Sequence, residues 1–136
     1  MAPDCLIDSN VYIDLLRTGR DTVARLEHWV SETGTQIVIC GVVRLEVLRG
    51  VKDPGVYRKL SAFMDVMVNV PSTNRLWDAA TKLAWTLDRK GMVIPGTDVV
   101  IAASALAIGA AVMTSDANFS SLEGLRVIAP PAEWFE

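Results

Sequence analysis

Histidine is almost missing from this chain. Its 136 residues include one, His28, and only two cysteines, Cys5 and Cys40. That scarcity removes several chemistries. A Ser-His-Asp or Cys-His-Asn arrangement needs a histidine beside the nucleophile. The single one sits next to Trp29 in "DTVARLEHWVSET" (residues 21–33), where it reads as a boundary residue of an amphipathic helix rather than as a base. Two distant cysteines and one histidine also make a poor zinc set. Both cysteines lie in strand-like runs and read as reduced, buried thiols of a cytoplasmic protein. There is no P-loop and no dinucleotide-binding glycine fingerprint.

An excess of basic charge is lacking too. Thirteen Lys and Arg against sixteen Asp and Glu leave a net charge of −3. This argues against loose binding to nucleic acid, which needs a positive field. A specific nucleic-acid enzyme with a local basic rim remains open. Arg44, Arg49, Lys52, Arg58 and Lys59 crowd one region, although they read equally well as a solvated helix face. Long apolar runs are absent as well. The longest stretch, residues 99–113, is interrupted by Ser104 and Gly109 and falls short of the ~20 residues a membrane helix needs. No cationic start followed by an apolar run marks a secretory signal. The expectation is a cytoplasmic protein without a membrane anchor. Hydrophobic residues nevertheless make up 51%, and mean hydropathy is +0.31, which points to apolar surface covered by a partner or a second copy.

What is present is alternation. The length fits one domain, residues 1–136, with a real core. Strand-like runs occur at 4–8, 36–40, 68–70, 110–114 and 125–129. Between them, helical patterns occupy 10–17, 21–33, 42–50, 54–67, 73–90 and 97–108, with Gly19, Gly91 and Gly109 as stops. The pattern predicts an α/β fold with a mainly parallel central sheet flanked by helices. In such sheets ligands bind beyond the carboxyl ends of the strands. Asp8 ends the first strand and Asp116 follows the strand "AVMT".

With the other chemistries gone, carboxylates are left. Asp8, like Ser9 and Asn10, fits an N-cap as well as a functional acid. Glu46, in "VVRLEVLRG", shares a helix face with Val42 and Val43 and reads either as a salt-bridged residue or as a ligand. Asp98 opens a helix behind the candidate cap Thr97 and could simply complement the helix dipole. Asp116 could cap the turn "ANFSSL". Taken together, two of the four lie at strand ends, and the two on helices could converge there. Carboxylates sharing a pocket resist ionisation unless a cation joins them. Oxygen-only ligands favour Mg2+, with Mn2+ as a substitute. Such a site activates water and neutralises charge in phosphodiester hydrolysis. A cation also reconciles an acidic pocket with an RNA substrate.

Four motifs in order carry a resemblance: "LIDSNVYIDLL", "RLEVLRG", "IPGTDVVIAASAL" and "VMTSDANF". They are similar to those of the PIN-domain ribonucleases, most of all the VapC toxins of bacterial toxin–antitoxin pairs, and the resemblance covers nearly the whole chain. It implies that Asp8, Glu46, Asp98 and Asp116 are catalytic, metal-binding acids, supported by Asn10 and Thr114. It implies a magnesium-dependent endoribonuclease, commonly homodimeric, restrained by a cognate antitoxin. One departure stands out: many relatives carry a further Asp where this chain has Asn118. Asp14 reads as a surface acid. Two other functions compete. A PIN-like module without catalysis would bind protein or RNA, and the four retained acids weigh against it. A receiver-type phosphotransfer domain would want a lysine after the final strand, and "RVIAPPAEWFE" has none.

Overall fold

The computed structural model describes residues 4–136, so Met1–Pro3 of the expected single-domain span lie outside the described residues. Five strands form one all-parallel sheet: β1 (Cys5–Ile7), β2 (Ile37–Ile39), β3 (Val68–Asn69), β4 (Ala111–Met113) and β5 (Val127–Ile128). Their spatial order is β3-β2-β1-β4-β5. Six helices connect them: α1 (Ser9–Arg17), α2 (Thr22–Thr33), α3 (Gly41–Leu48), α4 (Pro54–Asp65), α5 (Asn74–Arg89) and α6 (Gly96–Ile108). Short 3-10 turns at Ala117–Phe119 and Ala132–Phe135 complete the chain.

The strands are short and apolar because helices cover both faces. Every residue of β1, β2 and β4 is buried, which is the pattern of a parallel sheet inside an α/β fold. The expected amphipathic helices follow suit. Val23 and Leu26 of α2 are buried, and Trp29 packs partly buried on the core, edge-to-face with Trp134. Leu60 and Met64 of α4 are core, and Phe63 packs partly against them. Much of the apolar pattern between residues 20 and 67 is therefore spent on the interior. α6 is buried along most of its length, and α5 packs against it.

Cap chemistry sets the boundaries. Asp21 and Asp53 accept backbone N–H bonds at the starts of α2 and α4, and Thr73 does the same for α5. Gly109, at φ 67°, closes α6 and turns the chain directly into β4. Thr97 is not the cap that the sequence predicts. α6 starts one residue earlier, at Gly96, with Pro95 in the cap position and no side-chain cap bond. Proline's fixed φ pre-forms the entry without a capping oxygen.

This topology creates one special place. Chain order proceeds outward from β1 to β2 and β3 on one side, then returns to β4 and β5 on the other. The reversal lies between β1 and β4, which pair from Cys5↔Ala111 to Ile7↔Met113. Crevices beyond the strand ends at such a switch point are where open α/β sheets hold ligands.

The core should respond accordingly. Leu6→Ala, in the fully buried central strand, is expected to cost about 2–5 kcal/mol. Val66→Ala, at a residue 82% exposed, should stay within about 0.5 kcal/mol. Urea denaturation of both variants checks this; equal losses would contradict the placement of the core.

Candidate functional site

Asp8 is the first residue beyond β1 and is only 3% exposed. It occupies the N-cap position of α1, yet its side chain makes no capping bond. The carboxylate points to the next strand instead. Thr114, the residue after β4, donates its hydroxyl to Asp8 Oδ2 at 2.8 Å. The backbone arranges this meeting, since Asp8 N–H donates to Met113 O at 2.9 Å and draws the two strand ends together.

Thr114 is a node. Its buried hydroxyl donates to Asp8 and accepts from Asn10 Nδ2 at 3.3 Å and from the Asp116 backbone N–H at 2.9 Å. One hydroxyl offers one donor and two acceptors, so its capacity is filled. Asp116 in turn caps the 3-10 turn, with Oδ1 accepting from the Asn118 N–H at 2.9 Å. The capping reading of Asp116 thus holds for one oxygen. The Asn118 amide then reaches Asp116 Oδ2 at 3.3 Å and Asp98 Oδ2 at 3.4 Å. On the other side, Ser9 donates to Glu46 Oε1 at 3.0 Å and lies 3.4 Å from Asp8 Oδ1. A continuous polar path therefore runs from Glu46 through Ser9, Asp8, Thr114, Asp116 and Asn118 to Asp98.

All four predicted acids are on that path, from four separate stretches of chain. Glu46 comes from α3, which leaves the carboxyl end of β2, and Asp98 from the first turn of α6. Asn10 and Thr114 join them. Asp14 does not: it lies on the outer side of α1, 3.6 Å from Arg17. His28 is exposed on α2, one turn from Glu32. Sequence reasoning missed Ser9 as the link between Asp8 and Glu46. It also noted Asn118 only as a departure, because a hydrogen bond made across the fold leaves no local pattern.

None of the four acids forms an ion pair among the described residues. Their charges are felt mutually. Burial pushes the Asp8 carboxyl above its ordinary range; bonds from Thr114 and Ser9 oppose this, and the Glu46 charge adds to it. Burial likewise raises Asp98, against the bond from Asn118, and the charges of Asp8, Asp116 and Glu46 raise it further. Cys40 lies near enough for the Asp8 charge to contribute to its raised thiol pKa, although burial dominates.

Whether these residues suit a cation depends on donors and distance. The donors are all hard oxygens, the set Mg2+ and Mn2+ prefer. Asn10 Oδ1 adds a buried oxygen with no protein donor. Among the described residues, however, no three His, Cys, Asp or Glu side chains stand close enough to grip an ion as they are. Coulomb coupling acts over several ångströms, whereas ligation of Mg2+ needs about 2.0–2.1 Å. An ion held here by these residues as placed would have to keep part of its water shell, as magnesium usually does.

A PIN domain family model matches residues 5–125; the chain belongs to the PIN domain family. Its neighbours among solved structures are VapC toxins of VapBC toxin–antitoxin systems. One is VapBC2 from Rickettsia felis bound to a promoter DNA fragment, with TM-score 0.74, 19% identity, and coverage of 93% of this chain and 98% of that one. VapBC-1 from nontypeable Haemophilus influenzae gives 0.73 and 19%, over 98% and 99% of the two chains. DNA-bound VapBC from Salmonella typhimurium gives 0.73 and 20%, over 94% and 98%. At such identities the likeness establishes the fold. No curated protein sequence matches the chain. No helix among the described residues is long and apolar enough to cross a membrane.

The raised acids make a signed prediction. A carboxyl whose folded pKa exceeds its unfolded value binds more protons when folded, so stability falls as pH rises through that interval. The penalty is complete above the folded value and relieved as pH falls toward the ordinary aspartate value of 3.8. Asp8→Asn removes one such charge while its amide oxygen can still accept from Thr114. In chelator, the variant should melt above the wild type at pH 7.5, and the gap should narrow at a lower pH near 3.8. A variant that melts lower at both pH values would contradict the repulsion.

Proposed function

We propose that this chain is a magnesium-dependent endoribonuclease, the toxin of a type II toxin–antitoxin pair. The observation that carries the reading is the cluster of four carboxylates, joined by one polar path and without an ion pair among the described residues, at the switch point of a PIN fold. A charge buried as Asp8 is, without an ionic partner, is costly. Four in one crevice are reasonable where a divalent cation is the intended partner.

In this reading Asp8, Asp98, Asp116 and Glu46 hold the ion, and Mn2+ can replace Mg2+. When bound, the cation supplies an acidified water and neutralises charge on the scissile phosphate. Thr114 fixes the rotamer of Asp8 and, through the Asp116 N–H, the start of the turn that carries Asp116. Asn10 braces Thr114. A pocket carboxylate accepts the proton lost by the attacking water. A bound divalent cation would offset two of the pocket's four negative charges and so lessen its repulsion of RNA, which an overall charge of −3 also disfavours.

The partner we propose is an antitoxin whose arginine enters the acidic pocket, because a guanidinium pairs bidentately with a carboxylate. A cavity of about 520 Å³ opens beside Glu46 over Ile13, Leu16 and Val47, with Arg17 and Lys52 on its rim. It shares Leu16 and Val56 with a second cavity of about 430 Å³ between α2 and α4. Together they offer an extended apolar seat that leads to the acids. Solved relatives include a toxin–antitoxin complex from Klebsiella pneumoniae. A homodimer is the assembly we propose, with exposed Trp77, Trp85 and Val93 as apolar surface for a second copy. A non-catalytic binding module draws on Asn118 and on the lack of a ready-made ion cage. The polar path through all four acids speaks for the enzyme.

Purified protein should cleave RNA with Mg2+ or Mn2+ and stop in excess EDTA, and Asp98→Ala should lower the rate about a hundredfold or more. Cleavage that survives chelation, with contaminating nuclease excluded, would refute the mechanism. For the partner, the co-purified antitoxin is expected to protect the pocket and the Glu46 cavity from hydrogen exchange and to lose inhibition when its arginines are replaced. An inhibited complex with the pocket open and still binding Mn2+ would contradict this.

A further inference from the structure

Asn118 stands between two of the acids, and its geometry gives the residue a purpose. Its side-chain amide lies between two carboxylates from different parts of the fold, 3.3 Å from Asp116 Oδ2 and 3.4 Å from Asp98 Oδ2. Its backbone N–H independently binds Asp116 Oδ1 at 2.9 Å. An aspartate in the same place could not make the side-chain contacts, because an ionised carboxylate only accepts hydrogen bonds. A fifth charge there would push Asp98 and Asp116 apart.

We propose that Asn118 is a positioning residue: its amide straps Asp98 to Asp116 and presets that pair for a divalent cation. This rests on reading the pocket as a cation site. The strap engages Oδ2 of each acid, and each carboxylate has about four lone-pair sites, so acceptor capacity remains for an ion. The strap is also the only side-chain bond that Asp98 makes among the described residues. Without it, Asp98 would be held by α6 alone, and its rotamer would have to be ordered by the ion itself. Ordering a side chain on binding weakens affinity.

The test uses Mn2+ as probe on the intact protein after removal of metal, by isothermal titration and by melting with and without Mn2+. Asn118→Ala deletes the side-chain strap and keeps the backbone N–H bond to Asp116. Expected is roughly tenfold weaker Mn2+ binding, the size typical for residues that orient metal ligands, with the fold retained. Asn118→Asp separates positioning from packing. It should melt lower than wild type in chelator and gain more from Mn2+ than wild type does, because the ion then relieves a stronger repulsion. Asn118→Ala that binds Mn2+ as tightly as wild type would overturn the strap while leaving the cation site intact, even if its melting point fell. Wild-type protein that binds no Mn2+ would overturn the cation site, and the strap with it.

Discussion

Repulsion among like charges at one sheet edge is the constraint on which the rest of this structure depends. Asp8 and Asp116 follow the adjacent strands β1 and β4, and Glu46 and Asp98 arrive on helices that begin at the same edge. Among the described residues no lysine or arginine pairs with them. The protein ties them with neutral donors: the hydroxyls of Ser9 and Thr114 and the amide of Asn118. Neutral donors hold carboxylates in place without quenching their charge, so the pocket keeps its attraction for a cation. A salt bridge would have filled the same role and cancelled it.

The surrounding fold serves this arrangement. Three-residue strands are too short for much stability by themselves, and the helices on both faces supply the apolar contact that fixes them. A rigid parallel sheet then sets the separation of Asp8 and Thr114 through backbone bonds, and functional geometry set by strands is more exact than geometry set by loops. The apolar composition has two uses. Most of it fills the interior, Trp29 and Phe63 partly included, and the remainder is exposed, including Trp77 and Trp85 of α5 and Val56 in the grooves beside α1.

Much of this could be read from the sequence, for identifiable reasons. The alternation of β-branched runs with helical periods dictated the parallel sheet, and each of the five strands and six helices lies where the pattern placed it. The four acids could be found because their motifs join a strand end or helix start to a carboxylate, which is a local feature. Asp8 reads equally as a cap in the sequence; in the structure its side chain makes no capping bond and accepts the Thr114 hydroxyl instead. Contacts between distant segments were out of reach. Ser9 to Glu46 and Asn118 to Asp98 join residues 37 and 20 positions apart, and nothing local in either partner announces the other. Thr97 was misjudged because Pro95 starts α6 without a capping hydroxyl.

Anomalous diffraction from crystals soaked in Mn2+ addresses the central claim most directly, since it locates the ion without relying on activity. The predicted result is an anomalous peak in the crevice between the ends of β1 and β4, coordinated by oxygens of Asp8 together with Asp98 or Asp116, and absent from crystals of Asp8→Ala. A well-ordered pocket that stays free of anomalous density at saturating Mn2+, or an ion bound elsewhere on the protein, would contradict it.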